Sequence, residues 1–117
     1  MKPGPEADAL YLDLIVEIIQ LIRESLAGIR EEEFLADRDK GDATALRLSA
    51  IGELSRKLSE DLRSRHPQIP WQRMYSLRNI VAHNYDQLDH RIIWGVATTA
   101  LDELYAACQS EVDKLDE

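Results

Sequence analysis

Apolar residues recur at helical spacing along the N-terminal part of this chain. Leucines and isoleucines stand three or four positions apart there, with polar residues between them. They are Leu10, Leu14, Ile15, Ile18, Ile19, Leu21, Ile22, Leu26 and Ile29. This period predicts a long amphipathic α-helix that fades near Phe34. Its apolar stripe is wider than one neighbouring helix can cover, so we expect burial on two sides, within the domain and against a second copy of the chain.

The same period predicts three further helices, over residues 43–64, 71–83 and 88–115. Residues 37–42 predict a turn between the first two helices, with Asp42 as the N-cap of the second. Pro67 and Pro70 end the second helix. Pro70 also suits the first position of the third helix, where a backbone N–H would have no partner.

Asn84 is expected to end the third helix, because Asn tolerates the left-handed conformation that closes helices, and Asp86 or Asp89 can cap the last helix. One face of that last helix is expected to point inward. Its residues are Ile92, Val96, Leu101, Leu104, Tyr105, Cys108, Val112 and Leu115. The sequence contains no strand-like alternation, no repeat and no Gly-rich phosphate loop. We therefore predict that residues 1–117 form a single all-α domain, an antiparallel bundle of four or five helices.

Charge is unevenly distributed along the sequence. The net charge of −8 repels phosphate backbones on average and argues against a non-specific nucleic-acid coat protein. Between Leu46 and Arg91, however, eight basic residues stand against five acidic ones. A locally basic centre within an acidic chain is compatible with anion binding at one place and with docking of a basic partner elsewhere.

Cysteine usage and hydropathy indicate a cytoplasmic protein. Cys108 is the only cysteine, so no intrachain disulfide can form, and its apolar neighbours predict a small buried side chain. The N-terminus lacks the apolar core of a signal peptide. The longest apolar stretch is interrupted by Asp13, Glu17 and Gln20, so no membrane span is predicted.

The sequence gives little support for a metal site or a catalytic triad. No Glu has a His three residues later, as a di-iron helix bundle would require. His66 follows the second helix in a loop and His90 stands in a charged first turn, so we expect both to be solvated surface residues. No metal ion or cofactor is implied. No Ser-His-Asp or Cys-His spacing with a supporting motif occurs, although a triad assembled in space stays open.

Four polar side chains that are able to take part in a reaction lie within residues 76–85. Arg78, Asn79, His83 and Tyr85 alternate with apolar residues that anchor the same predicted helix to the core. Arg78 and His83 diverge by about 140° around such a helix, so they would converge only across a two-fold axis or where the helix end unwinds. A purely structural interpretation stays open. In it Arg78 pairs with an acidic neighbour, His83 caps the helix end, and the Tyr85 ring packs over the corner.

The spacing Arg-Asn-x-x-x-His-x-Tyr resembles the signature of the HepT-type toxins of the HEPN superfamily. Several other segments in the same order are also similar to that family. They are Phe34-Leu35-Ala36-Asp37-Arg38, Ile51-Gly52-Glu53, His66-Pro67-x-Ile69-Pro70-Trp71, Tyr85-Asp86-x-x-Asp89 and Ile93-Trp94. The similarity covers about residues 10–105.

The resemblance implies a HEPN-like helical bundle that works as a homodimer, with the two Arg-x4-His motifs facing each other across a cleft. Members are metal-independent ribonucleases that form toxin–antitoxin pairs with a minimal nucleotidyltransferase, which adenylylates the motif tyrosine. Carried onto this sequence, Arg78 and His83 are the catalytic pair, Asn79 shapes the site and Tyr85 is the modified residue. The implied substrate is RNA, either tRNA or mRNA.

Two other functions stay open from the sequence. The dimer could be a regulatory module that holds a nucleotide or an RNA end without cutting it, still in partnership with the nucleotidyltransferase. It could also be a purely structural partner of that enzyme. Cleavage of RNA in the presence of EDTA separates an enzyme from a binding protein.

Overall fold

The computed structural model describes residues 5–83 and 85–115 of the 117-residue chain, and this part is helical with no β-strand. The predicted all-α class is confirmed. Its α-helices are α1 (Pro5–Leu26), α2 (Glu31–Ala36), α3 (Arg38–Lys57), α4 (Glu60–Ser64), α5 (Trp71–His83), α6 (His90–Gly95) and α7 (Leu101–Leu115). A 3-10 turn (Tyr85–Gln87) precedes α6, and a π-helical segment (Val96–Ala100) joins α6 to α7.

The core lies between the long helices. Helix α3 packs against α1 on one side and against α5 on the other, and α1 also contacts α7. Helix α1 contributes a continuous buried row at helical spacing, as its sequence period predicted. That row is Leu12, Ile15, Ile19, Ile22 and Leu26. Over the described residues, none of the helices combines the length and the apolar character that a membrane crossing requires.

The first helix ends earlier than predicted. It stops at Leu26, and Gly28 takes a φ of +73°, a left-handed conformation that glycine adopts at little cost. The chain then reverses into α2, which buries Phe34. The expectation of one helix fading near Phe34 was wrong, because this glycine breaks it.

The predicted turn over residues 37–42 is also wrong. Helix α3 already starts at Arg38, and Asp37 is its N-cap, with its carboxylate accepting from the backbone N–H of Lys40 at 3.0 Å. Asp42, predicted as the cap, lies inside the helix.

The predicted second helix is interrupted after Lys57, and α4 begins at Glu60. Ser59 caps α4 by accepting from the Leu62 N–H, and its own N–H and hydroxyl donate to the buried carboxylate of Asp8 at 2.7 and 2.6 Å. This carboxylate ties the start of α1 to the α3–α4 break, which local periodicity does not reveal.

Helix α5, which carries the polar motif, has the predicted bounds. Its first residue, Trp71, donates its indole N–H to the carbonyl oxygens of Arg63 and His66, both at 3.1 Å. Pro70 stands immediately before the helix, with its carbonyl accepting from the N–H groups of Arg73 and Met74. The predicted terminator, Asn84, lies outside the described residues.

The last predicted helix is interrupted by the π-helical segment. Asp89 caps α6, as one of the two predicted candidates. Ile93 rather than Ile92 faces the core, and Ile92 is 60% exposed. Leu115 is likewise exposed, whereas Leu101, Leu104 and Cys108 are buried as predicted. The buried positions before Leu101 are Ala97 and Ile93, at steps of four residues, so the expectation for Ile92 was wrong.

Candidate functional site

Arg78 lies in the C-terminal half of α5, with its side chain about half exposed. Its Nε stands 3.5 Å from Oε2 of Glu53 on α3, and its Nη1 donates to Oδ1 of Asn79 at 3.3 Å. The structure therefore brings Arg78 and Asn79 together, as the motif suggested, and adds Glu53 from another helix. The pairing of Arg78 with an acidic neighbour, which the structural interpretation expected, is therefore present.

His83 is the last residue of α5, and it is exposed. Because α5 stays helical through His83, Arg78 and His83 leave the helix about 140° apart. Within the described residues, unwinding of the helix does not bring them together. An exposed imidazole and an exposed guanidinium on one rigid helix can each meet a ligand that approaches from solvent.

Tyr85 begins the 3-10 turn that follows the motif. Its side chain lies outside the described part of the structure, so the expected role of this residue is a matter for proposal. The next residue, Asp86, lines a cavity of about 220 Å³ between this turn and the start of α3. Arg38, Asp42 and His90 line the same cavity.

A more apolar cavity of about 300 Å³ lies between α5 and the π-helical segment. Met74, Leu77 and Ile80 line it from α5, and Val96 and Ala100 line it from the π-helical segment. Ile80 is 45% exposed and lies two positions after Arg78. The helix that carries the polar motif therefore also presents apolar surface to solvent.

Two histidines are not the surface residues that the sequence suggested. The side chain of His90 is 15% exposed, and its Nε2 lies 2.9 Å from Oδ1 of Asp42. Its ring packs edge-on against the ring of Phe34. The side chain of His66 is 12% exposed and lies 2.9 Å from Oε2 of Glu111. Their partners are distant in sequence, and local context therefore misplaced both histidines.

Glu111 is the most heavily paired carboxylate described. It is buried on α7, Arg65 donates to its Oε1 at 2.7 Å, and Lys114 approaches its Oε2 at 3.4 Å. The hydrogen bond from Arg65, aided by His66, lowers the pKa of Glu111 to about 2 against the opposing effect of burial. Burial, reinforced by the nearby Glu111 charge, raises the pKa of the Cys108 thiol to about 12, so this predicted core cysteine is not an activated nucleophile.

Glu53 is the site residue that sequence reasoning left without a role. The signal that could have found it is the Gly-Glu pair at positions 52 and 53, since a glycine inside a helix permits close approach of another backbone. Among residues 5–83 and 85–115, no three His, Cys, Asp or Glu side chains gather as a metal site would require.

Known proteins are similar in sequence to this chain. The family model described as "Ribonuclease HepT-like" matches residues 15–111. "Probable ribonuclease HepT" of Thermococcus cleftensis is 38% identical over 84 residues, which are 72% of this chain and 76% of that protein. "Putative RNase MJ0127" of Methanocaldococcus jannaschii is 37% identical over 94 residues, 80% of this chain and 77% of that protein.

"Putative RNase TTE0752" of Caldanaerobacter subterraneus subsp. tengcongensis is 30% identical over 94 residues, 80% of this chain and 84% of that protein. No solved structure matches the chain. The family match spans α3, α5 and α6 and includes Arg78, Asn79, His83 and Tyr85. The resemblance seen in the sequence is confirmed, and the chain belongs to the HepT-like ribonuclease family of the HEPN superfamily.

Proposed function

We propose that the chain is a metal-independent endoribonuclease and the toxin of a toxin–antitoxin pair, with Arg78 and His83 as its catalytic pair. The observation that carries the proposal is the exposure of both side chains on one rigid helix in a member of a ribonuclease family. The names of the relatives support action on RNA.

The chemistry of RNA suits these two side chains. The 2′-hydroxyl is an internal nucleophile: its oxygen bonds to phosphorus while the bond from phosphorus to the 5′-oxygen breaks. An imidazole can accept the 2′-hydroxyl proton or donate one to the leaving 5′-oxygen. A guanidinium can bind the phosphate through two hydrogen bonds and stabilise the added charge of the transition state. The expected products carry 2′,3′-cyclic phosphate and 5′-hydroxyl ends.

The site is proposed to be composite, formed by two chains across a two-fold axis. Arg78 and His83 point about 140° apart on α5, so a phosphate can meet both more easily if a second copy supplies one of them. Exposed Ile80, Ile92 and the apolar cavity beside α5 supply surface that such a partner can bury. Light scattering at tens of micromolar, roughly the usual assay concentration, should report a dimer, and a monomer would contradict the composite site.

Regulation is proposed to act through Tyr85. A minimal nucleotidyltransferase, the antitoxin, would adenylylate its hydroxyl, forming a bond from phosphorus to the tyrosyl oxygen and releasing pyrophosphate from ATP. The new phosphate would compete with RNA for Arg78, and the adenosine would obstruct the entrance. Mass spectrometry after co-expression with the nucleotidyltransferase should show a gain in units of AMP that is lost in Tyr85→Phe. A gain that persists in Tyr85→Phe removes this residue from the mechanism.

The deciding experiment is incubation of the unmodified protein with total tRNA and with mRNA in EDTA. Cleavage to cyclic-phosphate ends is expected, and His83→Ala should lack it. A second candidate is a regulatory dimer that holds a nucleotide or an RNA end, favoured by the net charge of −8 and by the carboxylate beside Arg78. RNA binding without cleavage would establish this second function and reject the first.

A further inference from the structure

Helices α3 and α5 approach closely at Gly52, which meets α5 one helical turn before Arg78. A Cβ atom built on Gly52 would stand 2.3 Å from the carbonyl oxygen of Met74 and 3.8 Å from the backbone nitrogen of Arg78. The contact atom is backbone, so it cannot rotate away. The two helices therefore keep this separation only because position 52 has no side chain.

Glu53 follows Gly52 and lies at this close contact between the two helices. The Glu53 carboxylate lies between two arginines, with Oε1 3.5 Å from Nη2 of Arg56 and Oε2 3.5 Å from Nε of Arg78. Oε2 is shielded from solvent and accepts no hydrogen bond from the described part of the chain. A shielded anionic oxygen is costly unless a cation stands near it, and Arg78 is the nearer of the two cations to this oxygen.

Arg78 is constrained at both sides of its guanidinium. Nε faces Glu53, and Nη1 donates to Oδ1 of Asn79. Neither contact uses Nη2, and 48% of the side chain is exposed. The two contacts remove rotational freedom from a long, half-exposed side chain and leave Nη2 outside both of them.

We propose that Glu53 is a positioning residue, whose carboxylate across the α3–α5 contact orients the Arg78 guanidinium for phosphate. The proposal rests on the ribonuclease function proposed above. A positioning role has a distinctive signature. Removing the negative charge makes the site more positive, so RNA binding should stay equal or tighten, whereas the reaction rate should fall because Arg78 is less well oriented.

The test compares Glu53→Gln, which keeps the shape and removes the charge, with Glu53→Asp, which keeps the charge on a shorter side chain. Glu17→Gln is the matched control, because it makes the same charge change at an exposed position of α1. Single-turnover cleavage of an RNA oligonucleotide in EDTA gives the rate. Affinity for the uncleavable 2′-O-methyl version of that oligonucleotide gives binding. Thermal unfolding and the ¹⁵N NMR signal of the Arg78 Nε–H, assigned with Arg78→Lys, report structure.

For Glu53→Gln we expect a rate loss of about tenfold or more, with affinity unchanged or tighter and a shifted, faster-exchanging Arg78 Nε–H. Glu53→Asp should fall between Glu53→Gln and the parent, and Glu17→Gln should match the parent. A parental rate together with an unchanged Nε–H signal overturns the proposal. So does a parallel loss of rate, affinity and melting temperature, which indicates a stabilising role only. If the parent itself cleaves no RNA, the ribonuclease function fails, while the Nε–H signal still decides whether Glu53 orients Arg78.

Discussion

Two arginine–glutamate pairs in this fold consist of the same residue types but differ in their surroundings. Arg65 and Arg78 are almost equally exposed, at 49% and 48% of the side chain. Their partners differ, since the Glu111 side chain is 5% exposed and the Glu53 side chain 31%. Glu111 accepts from Arg65 at 2.7 Å and is also met by His66 and Lys114, whereas Glu53 stands 3.5 Å from each of its arginines.

The comparison teaches that the carboxylate, not the arginine, decides what such a pair does. A buried carboxylate surrounded by donors fixes the loop before α5 to α7, and breaking it leaves uncompensated charge. A partly exposed carboxylate, whose shielded oxygen lies at longer range from the arginine, orients a guanidinium without consuming its hydrogen-bonding capacity. We therefore expect the Arg65–Glu111 pair to serve stability and the Arg78–Glu53 pair to serve the site.

The largest expected effect is the loss of cleavage on removal of the site cation or imidazole. Arg78→Ala and His83→Ala should each reduce the cleavage rate by about 100-fold or more, because they remove charge stabilisation or proton transfer. Thermal unfolding of His83→Ala should stay near that of the parent, since this side chain is exposed. Arg78→Ala should lose some stability, because the shielded Glu53 oxygen loses its nearest cation, although Arg56 remains near the other oxygen. Arg65→Ala is the matched control, and it should lower the melting temperature while the folded enzyme keeps its rate. Equal rate losses in Arg65→Ala and Arg78→Ala would erase the distinction.

Next in size is the stability lost when Glu111 is removed. Glu111→Ala should reduce the free energy of unfolding by about 3 kcal/mol, because Arg65 and His66 both lose the buried carboxylate to which they bind. Urea unfolding followed by circular dichroism measures this. Glu103→Ala, at an exposed position of the same helix, should change it little.

A smaller effect, on stability and on the Arg78 site at once, is expected from Gly52→Ala. The added methyl group meets the Met74 carbonyl, so α3 and α5 must separate, at a cost of about 1–3 kcal/mol. The separation also moves Glu53 from Arg78, and cleavage should slow more than it does in Glu111→Ala assayed below its melting temperature. Ser49→Ala, at a half-buried position of the same helix, serves as the control. Parental stability in Gly52→Ala would show that the contact is not tight.

The effect with the narrowest range of conditions appears only at acidic pH. The pKa of Glu111 is lowered from 4.5 to about 2 in the folded protein, chiefly by Arg65, so its ionised form stabilises the fold. That contribution is complete above pH 4.5 and is lost as the pH falls towards 2. Unfolding measured across this interval should show a steeper loss of stability in the parent than in Glu111→Gln. Parallel curves would mean that Arg65 does not hold this carboxylate ionised.

Local sequence signals predicted α5 to the residue, because prolines precede it and its apolar period is short and regular. They also placed Arg78, Asn79 and His83 on one helix. They failed for His66 and His90, whose partners lie 45 and 48 positions away in sequence. Such pairings depend on tertiary packing, and no local pattern encodes them. The same reason hid Glu53, whose significance depends on how α3 meets α5.

The π-helical segment after α6 can absorb the loss of one residue. A π turn holds about one residue more than an α turn, so deleting one residue from Val96–Ala100 would restore a continuous α-helix and leave α6 and α7 close to their present relative orientation. Ile93 would stay in the core and Ile92 on the surface. At this segment the chain can therefore change in length by one residue without altering which surfaces are available for association.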